Sequence, residues 1–394
     1  MRVLIFDQYY TGHNPEWIYC AAEACQLCPD NEIIVAANFK IYAVRFWVDQ
    51  VSSADFKRVD VQLQEQPRLK QAISIAQEYA CDLVFFPYFD GMLVELGKEA
   101  DLIEESSLAF RGIFLRAEFG RLESYQAKDR IRRFLYKFYK TKHGKKVKRE
   151  LKFKKLRVDG YKALSNLSKK AGRLKLACVG NASMQASLDK YYPDSGSFVL
   201  KSDPWLSKSG LTREQARARL NLPLDKFIFL HCGTSWPVKG LEDACIAMNK
   251  LGAELKSKLM LVRAGELLDP GLRPVINSLG RLIDEYIDQE DLNDYYAAAD
   301  CVLMPYRNHA GSSGILIHSA ANRRPVIAPD YAVIGDFTSR YKLGYLYKHL
   351  DLDSLADAMR RAVEGSYIQG PEAKEFVKLN SKEKFFEELS QLLR

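Results

Sequence analysis

The sequence predicts an α/β protein made of two doubly wound domains facing across a cleft. Three observations carry that expectation. Short, nearly continuous apolar runs alternate with helix-periodic segments, as in parallel sheets covered on both faces. The alternation restarts near the middle of the chain. At 394 residues the chain is also too long for a single compact core.

The first half opens with an apolar strand over 3–6 and a loop holding Thr11-Gly12-His13. Residues 16–27 follow at helical spacing through Trp17, Cys20, Ala21 and Ala24. A second strand is expected over 32–36, a helix over 66–79 and a buried strand at 81–87 (CDLVFFP). A helix over 93–104 and a strand over 112–116 (GIFLR) continue the pattern, which resumes with strands at 174–179 and 197–200. The opening MRVLIFDQYY reads as a strand and not a signal peptide, because Asp7 interrupts the apolar run. No stretch reaches the roughly 20 apolar residues of a membrane-spanning helix.

Between these strands lies a basic segment. Residues 128–157 hold fifteen Lys or Arg against two acidic residues, a balance of +13 that leaves the remainder of the chain at −5. Nucleic-acid binding is therefore not implied. Ile131, Phe134, Leu135 and Phe138 recur at helical spacing among Arg130, Arg132, Arg133 and Lys137, the pattern of an amphipathic helix. A solvated cationic face is the plainer reading; contact with an anionic membrane surface or a polyanionic acceptor is the functional one.

A domain boundary is expected near Lys201, after which 211–220 reads as a helix capped by Thr212 with Gln215 three residues on. The second alternation runs through strand 227–232, loop 233–240, helix 241–251, strand 258–264, helix 272–279, strand 281–285 and helix 291–299. Strand 301–306, a loop closing in Gly311-Ser312-Ser313-Gly314, helix 315–321 and strand 325–328 come next. Elements at 334–340, 344–346, 353–364 and 381–393 complete the chain. The eight cysteines are scattered, and only Cys25 and Cys28 form a C-x-x-C pair without a second pair, so a zinc site is not indicated. Reduced, buried thiols fit a cytoplasmic protein.

A helix starting at Ser312 or Ser313 presents unpaired amides and the positive end of its dipole to the loop, while flanking glycines admit a ligand to the backbone. Alone, that loop is an ordinary helix cap. With Lys239 in the matching loop Gly233–Gly240, it becomes a recipe for holding a diphosphate.

The ordered set HCGTSWPVKG, LMLVRAGE, EYIDQEDLNDYYAAADCVLMPY and GSSGILIHSAANRRPVIAPD resembles the donor-binding domain of GT-B glycosyltransferases, in particular family 4 (group 1). The resemblance covers roughly residues 211–344 and reaches the first half only by pattern. It implies a GT-B architecture of two Rossmann-like domains: 1–200 for the acceptor, 201–375 for the donor, and 376–394 as a helix packing back toward the first. The implied activity transfers a sugar from a UDP- or GDP-linked donor to a hydroxyl on a saccharide or lipid-linked acceptor, without cofactor or metal.

The family's G-x5-K-G loop lands on Gly233 and Lys239. Its usual arginine after the glycine is Thr234 here, with Arg307 as a candidate replacement and Asn308 beside it. The family's Glu-x7-Glu carboxylates fall at Ala310 and His318, while the phosphate-binding stretch survives as Gly311, Ser312, Ser313 and Gly314. His13, with Gly12, is similar to the histidine of a glycine-rich loop in some inverting enzymes and suits a general base. Asp90 and Glu118 are further catalytic candidates and Arg116 an acceptor contact, since each follows a strand. Retention or inversion stays open. The alternatives are an inactive GT-B protein that binds nucleotide sugar or serves as a partner subunit, and a sugar-nucleotide epimerase. The expected place is the cytoplasm or the inner face of the membrane.

Overall fold

The computed structural model describes residues 1–7, 14–27, 30–39, 56–61, 67–114, 162–179 and 208–393 except 288 and 310, together with 160, 186, 189, 192 and 198–200. They form two compact units, Met1–Lys201 with Phe385–Arg394, and Ser202–Lys384.

The first unit is built on seven parallel strands: β1 (Arg2–Asp7), β2 (Glu32–Ala37), β3 (Lys57–Asp60), β4 (Leu83–Phe86), β5 (Ala109–Phe114), β6 (Leu174–Val179) and β7 (Phe198–Leu200). Their order is β3-β2-β1-β4-β5-β6-β7. The inner strands are buried apolar runs, as sheets covered on both sides require. The strand β3 (KRVD) escapes an apolar-run criterion because it is an exposed edge, where charge deters further pairing. The helix expected over 93–104 is two short helices, Leu93–Lys98 and Ala100–Glu105, broken at Glu99. The terminal helix Lys382–Leu393 belongs partly to this unit. Phe385 packs edge-on against Trp17 at 5.1 Å, and the buried Arg111 donates through Nε to the Leu392 carbonyl at 2.8 Å.

The second unit has six parallel strands: β8 (Phe227–Cys232), β9 (Leu259–Ala264), β10 (Gly280–Ile283), β11 (Cys301–Leu303), β12 (Val326–Pro329) and β13 (Gly344–Tyr347). Their order is β10-β9-β8-β11-β12-β13, so the winding reverses between β8 and β11. That reversal opens a crevice at the strands' carboxyl ends, where ligands of such sheets bind. Thr212 and Gln215 form the capping box expected from their spacing. The helices Ala253–Ser257 and Pro371–Leu379 were not anticipated; the second starts on Pro371 directly after Gly370, a legible first-turn signal.

Below β11, Asp300 ties this unit together. Its carboxylate accepts from Arg213 Nε at 2.7 Å, from the fully buried Arg217 and from the Ile228 amide at 2.6 Å. Arg217 also donates to carbonyls of Ala298, Pro223 and Lys226. Among the described residues no helix is long and apolar enough to cross a membrane. Asp300→Ala strands a buried guanidinium, and is expected to cost about 3 kcal/mol of unfolding free energy in urea. A change below about 0.5 kcal/mol would show that the backbone carbonyls alone satisfy Arg217.

Candidate functional site

The loop after β8 is shaped by two left-handed glycines, Gly233 (φ 78°) and Gly240 (φ 65°). A β-carbon on Gly240 would overlap the Pro305 carbonyl of the loop after β11. A β-carbon on Gly233 would lie 2.6 Å from the Lys239 ammonium, which therefore occupies the space a side chain would fill. Lys239 reaches it from a single 3-10 turn, Pro237–Lys239, whose amide bonds back to the Trp236 carbonyl at 2.8 Å. Its pKa is lowered, first by burial and also by the nearby Arg263, and among the described residues no carboxylate acts on it. Thr234 donates to Glu266 Oε2 at 3.0 Å.

The loop after β11 meets this one through an Arg307 amide bond to the Val238 carbonyl at 2.7 Å. Arg307's guanidinium is engaged by Asp243 and, at 3.2 Å, by Glu242, so its charge is already met within the domain. Asn308 takes a positive φ of 55°, and its amide donates to His349 Nε2 at 3.1 Å. His309 donates through Nε2 to the Ser312 carbonyl at 2.8 Å. The helix begins at Gly314 with Ser313 as N-cap, and the Ser313 side chain makes no capping bond; its Oγ lies 3.2 Å from Tyr306 Oη instead. The Leu316 amide donates to the Ser313 carbonyl at 2.9 Å, and the Ser313 side chain takes up none of the helix's leading amides. His318 is buried one turn on, its ring stacked over Tyr296 at 5.9 Å, and Tyr296 Oη accepts from the Cys232 thiol at 3.4 Å.

Gly233, Thr234, Lys239, Gly311, Ser312, Ser313, Gly314 and His318 thus gather at one end of the second sheet. Asp90 lies in the other unit, half-buried in the turn Phe89–Gly91 that follows β4. Gly12, His13, Arg116, Glu118, Ala310 and the segment 128–157 lie outside the described residues.

Two residues that the motifs did not point to underlie the loop. His231 and Arg263 pair across the β8–β9 register, and both are buried. His231 donates through Nε2 to the Lys239 carbonyl at 3.2 Å, which leaves Nδ1 as an acceptor without a partner. Arg263 donates to the carbonyls of Gly233 at 2.6 Å and Glu266 at 2.9 Å. A charged residue inside an otherwise apolar strand (LMLVRA) was the signal that could have found it.

Two parallel, doubly wound units with a phosphate-type loop at a switch point define the class: the chain has the GT-B fold. Residues 226–365 match the family model described as glycosyl transferases group 1. Two relatives of known description match part of the chain. A Bacillus subtilis protein named for teichuronic acid biosynthesis, the glycosyltransferase TuaC, is 27% identical over 161 residues, 41% of this chain and 39% of that protein. The D-inositol 3-phosphate glycosyltransferase of a Nocardioides species is 32% identical over 176 residues, 39% of this chain and 37% of its own. The chain thus spans about two fifths of the length of these relatives.

Solved structures match over the whole length. Sucrose-phosphate synthase from Thermosynechococcus elongatus superposes with a TM-score of 0.68 at 15% identity, covering 100% of this chain and 98% of that one. HepE from Anabaena, solved in complex with UDP, gives 0.69 at 12%, with 100% and 99% covered. WaaG, a glycosyltransferase involved in lipopolysaccharide biosynthesis, gives 0.64 at 13%, with 99% and 98% covered.

Burial, then the charge of Arg263, holds the His231 pKa down near about 3 against an ordinary 6.5. The unfolded chain therefore binds the extra proton first, so His231 contributes stability above pH 6.5 that is lost as pH falls toward about 3. At pH 5 that loss is about 2 kcal/mol. His231→Gln is expected to flatten the unfolding free energy between pH 7 and 5 by that amount, and an imidazole NMR titration of His231 with a midpoint near 6.5 would contradict it.

Proposed function

We propose that this chain is a glycosyltransferase that moves a sugar from a nucleoside-diphosphate donor to a hydroxyl acceptor. The observation that carries the reading is the Lys239 ammonium. It lies over Gly233, with no carboxylate among the described residues acting on it, at the switch point that also holds the start of the helix Gly314–Ala321, whose N-cap Ser313 makes no side-chain capping bond. A cation and a helix N-terminus converging there suit the β-phosphate of a nucleoside diphosphate. In the reaction the bond from the anomeric carbon to the diphosphate breaks, and the acceptor oxygen bonds that carbon. The hydroxyl proton passes to a base or to the departing phosphate. Lys239 and the helix amides would take up the charge on the leaving diphosphate in place of a metal ion. The group 1 match over residues 226–365 supports this reading, as do the descriptions of TuaC and the Nocardioides enzyme and the binding of UDP by HepE.

The acceptor we infer is a saccharide or a lipid-linked saccharide. The motive is the +13 segment at 128–157, whose cationic and apolar residues alternate at helical spacing and suit an anionic membrane surface. UDP and GDP are the first donors' nucleotides to try.

Lys239→Ala is expected to weaken binding of the preferred nucleoside diphosphate by about tenfold or more in a thermal-shift and calorimetric screen of UDP, GDP and ADP. Wild-type protein that no nucleoside diphosphate stabilises would refute the reading. Binding without transfer to, or hydrolysis in, any acceptor assay would favour a nucleotide-sugar-binding partner subunit. The triple variant Arg132→Gln, Arg133→Gln, Lys137→Gln should sediment less with vesicles containing about 30% phosphatidylserine, in line with about 1 kcal/mol per basic residue at such a surface. Equal sedimentation of the variant and wild type would return the segment to a solvated face.

A further inference from the structure

Arg263 is a cation without an obvious employer. It sits in the interior of β9 with its side chain fully buried, yet no carboxylate bonds its guanidinium among the described residues. Burying such a charge is unfavourable unless its donors are satisfied, and a large apolar side chain fills the same space at no such cost. Its hydrogen bonds show where it is directed. Nη2 donates to the carbonyls of Gly233 at 2.6 Å and Glu266 at 2.9 Å, and Nη1 lies 3.5 Å from the His231 carbonyl. All three acceptors lie at or just beyond the ends of β8 and β9, and one of them, Gly233, is the residue over which the Lys239 ammonium sits. The Ser235 amide donates to the same Glu266 carbonyl at 2.9 Å, so one guanidinium ties the β8 loop to the β9 loop. The backbones are in contact there: a β-carbon on Gly265 would lie 2.8 Å from the Gly233 carbonyl.

We propose that Arg263 is a positioning residue for the donor diphosphate: it locks the Gly233 and Glu266 carbonyls so that Lys239 faces the anion, and its buried charge adds to the potential at that point. The proposal rests on the diphosphate reading given above. The charged and titratable groups that face the pair are few. They are His231 and Cys232 on β8, Cys245 on the helix Leu241–Asn249, and Asp284 after β10, whose carboxylate is engaged by Arg273 and the Leu267 amide. Burial brings Arg263 down to about 10, so it is still a cation at neutral pH, and its charge holds the Lys239 pKa down.

The test uses the full chain and the variants Arg263→Lys and Arg263→Met. Calorimetry measures affinity for UDP, UMP and inorganic pyrophosphate, and NMR of the 13C-dimethylated protein follows the Lys239 resonance, assigned by its loss in Lys239→Ala. A lysine at 263 keeps a charge but lacks the planar guanidinium that sets Nη2 between the Gly233 and Glu266 carbonyls while Nη1 faces that of His231. Arg263→Lys should therefore lose about tenfold in affinity for UDP and pyrophosphate while UMP binding changes by less than about twofold. Arg263→Met should lose more, and the Lys239 titration should move to higher pH as the neighbouring charge is removed. If Arg263→Met does not fold, Arg263→Lys decides alone. Equal loss of UDP and UMP, or loss of neither, overturns the proposal. If the wild type binds neither UDP nor pyrophosphate, the diphosphate reading itself has failed. The lysine titration in ligand-free protein then decides whether the two cations are coupled, and an unmoved titration overturns the coupling.

Discussion

A buried guanidinium whose bonds, among the described residues, all go to backbone carbonyls is the constraint that ties together the loops after β8 and β9. Arg263 draws together the carbonyls of Gly233 and Glu266, and that peptide geometry in turn requires the left-handed φ of 78° at Gly233. With no side chain at 233, the Lys239 ammonium can settle over the backbone. With no side chain at 240, the next loop can come close enough for Arg307 to bond the Val238 carbonyl. Each step is a close approach of backbone to backbone, made where a side chain is missing.

The two loops treat their charged residues differently. Among the described residues no acidic group acts on Lys239, whereas Arg307 is held between Asp243 and Glu242 and joins the β11 loop to the helix Leu241–Asn249. His318, by contrast, is buried and stacked over Tyr296.

Much of the fold was legible because parallel sheets write themselves as apolar runs. The strands at 174–179 and 227–232 were read with the bounds they have, and the capping box at Thr212 and Gln215 followed from spacing alone. The failures have local causes. An edge strand such as KRVD is too polar to stand out, and a break at Glu99 leaves no mark in an otherwise periodic stretch. The helix Ala253–Ser257 is too short to show a period.

By itself the sequence determined the elements and two phosphate-type loops, because glycines, capping residues and apolar periodicity act within a few residues of one another. Which side chains share the site was decided only in three dimensions. Arg263 lies thirty residues from Gly233 in the chain and His231 eight from Lys239, and they meet because β8 and β9 are neighbours in register. Arg307 and Lys239 look alike on paper as basic residues in strand-end loops. Packing assigned one to a pair of carboxylates and left the other open, since the distance to a neutralising charge is a property of the folded chain.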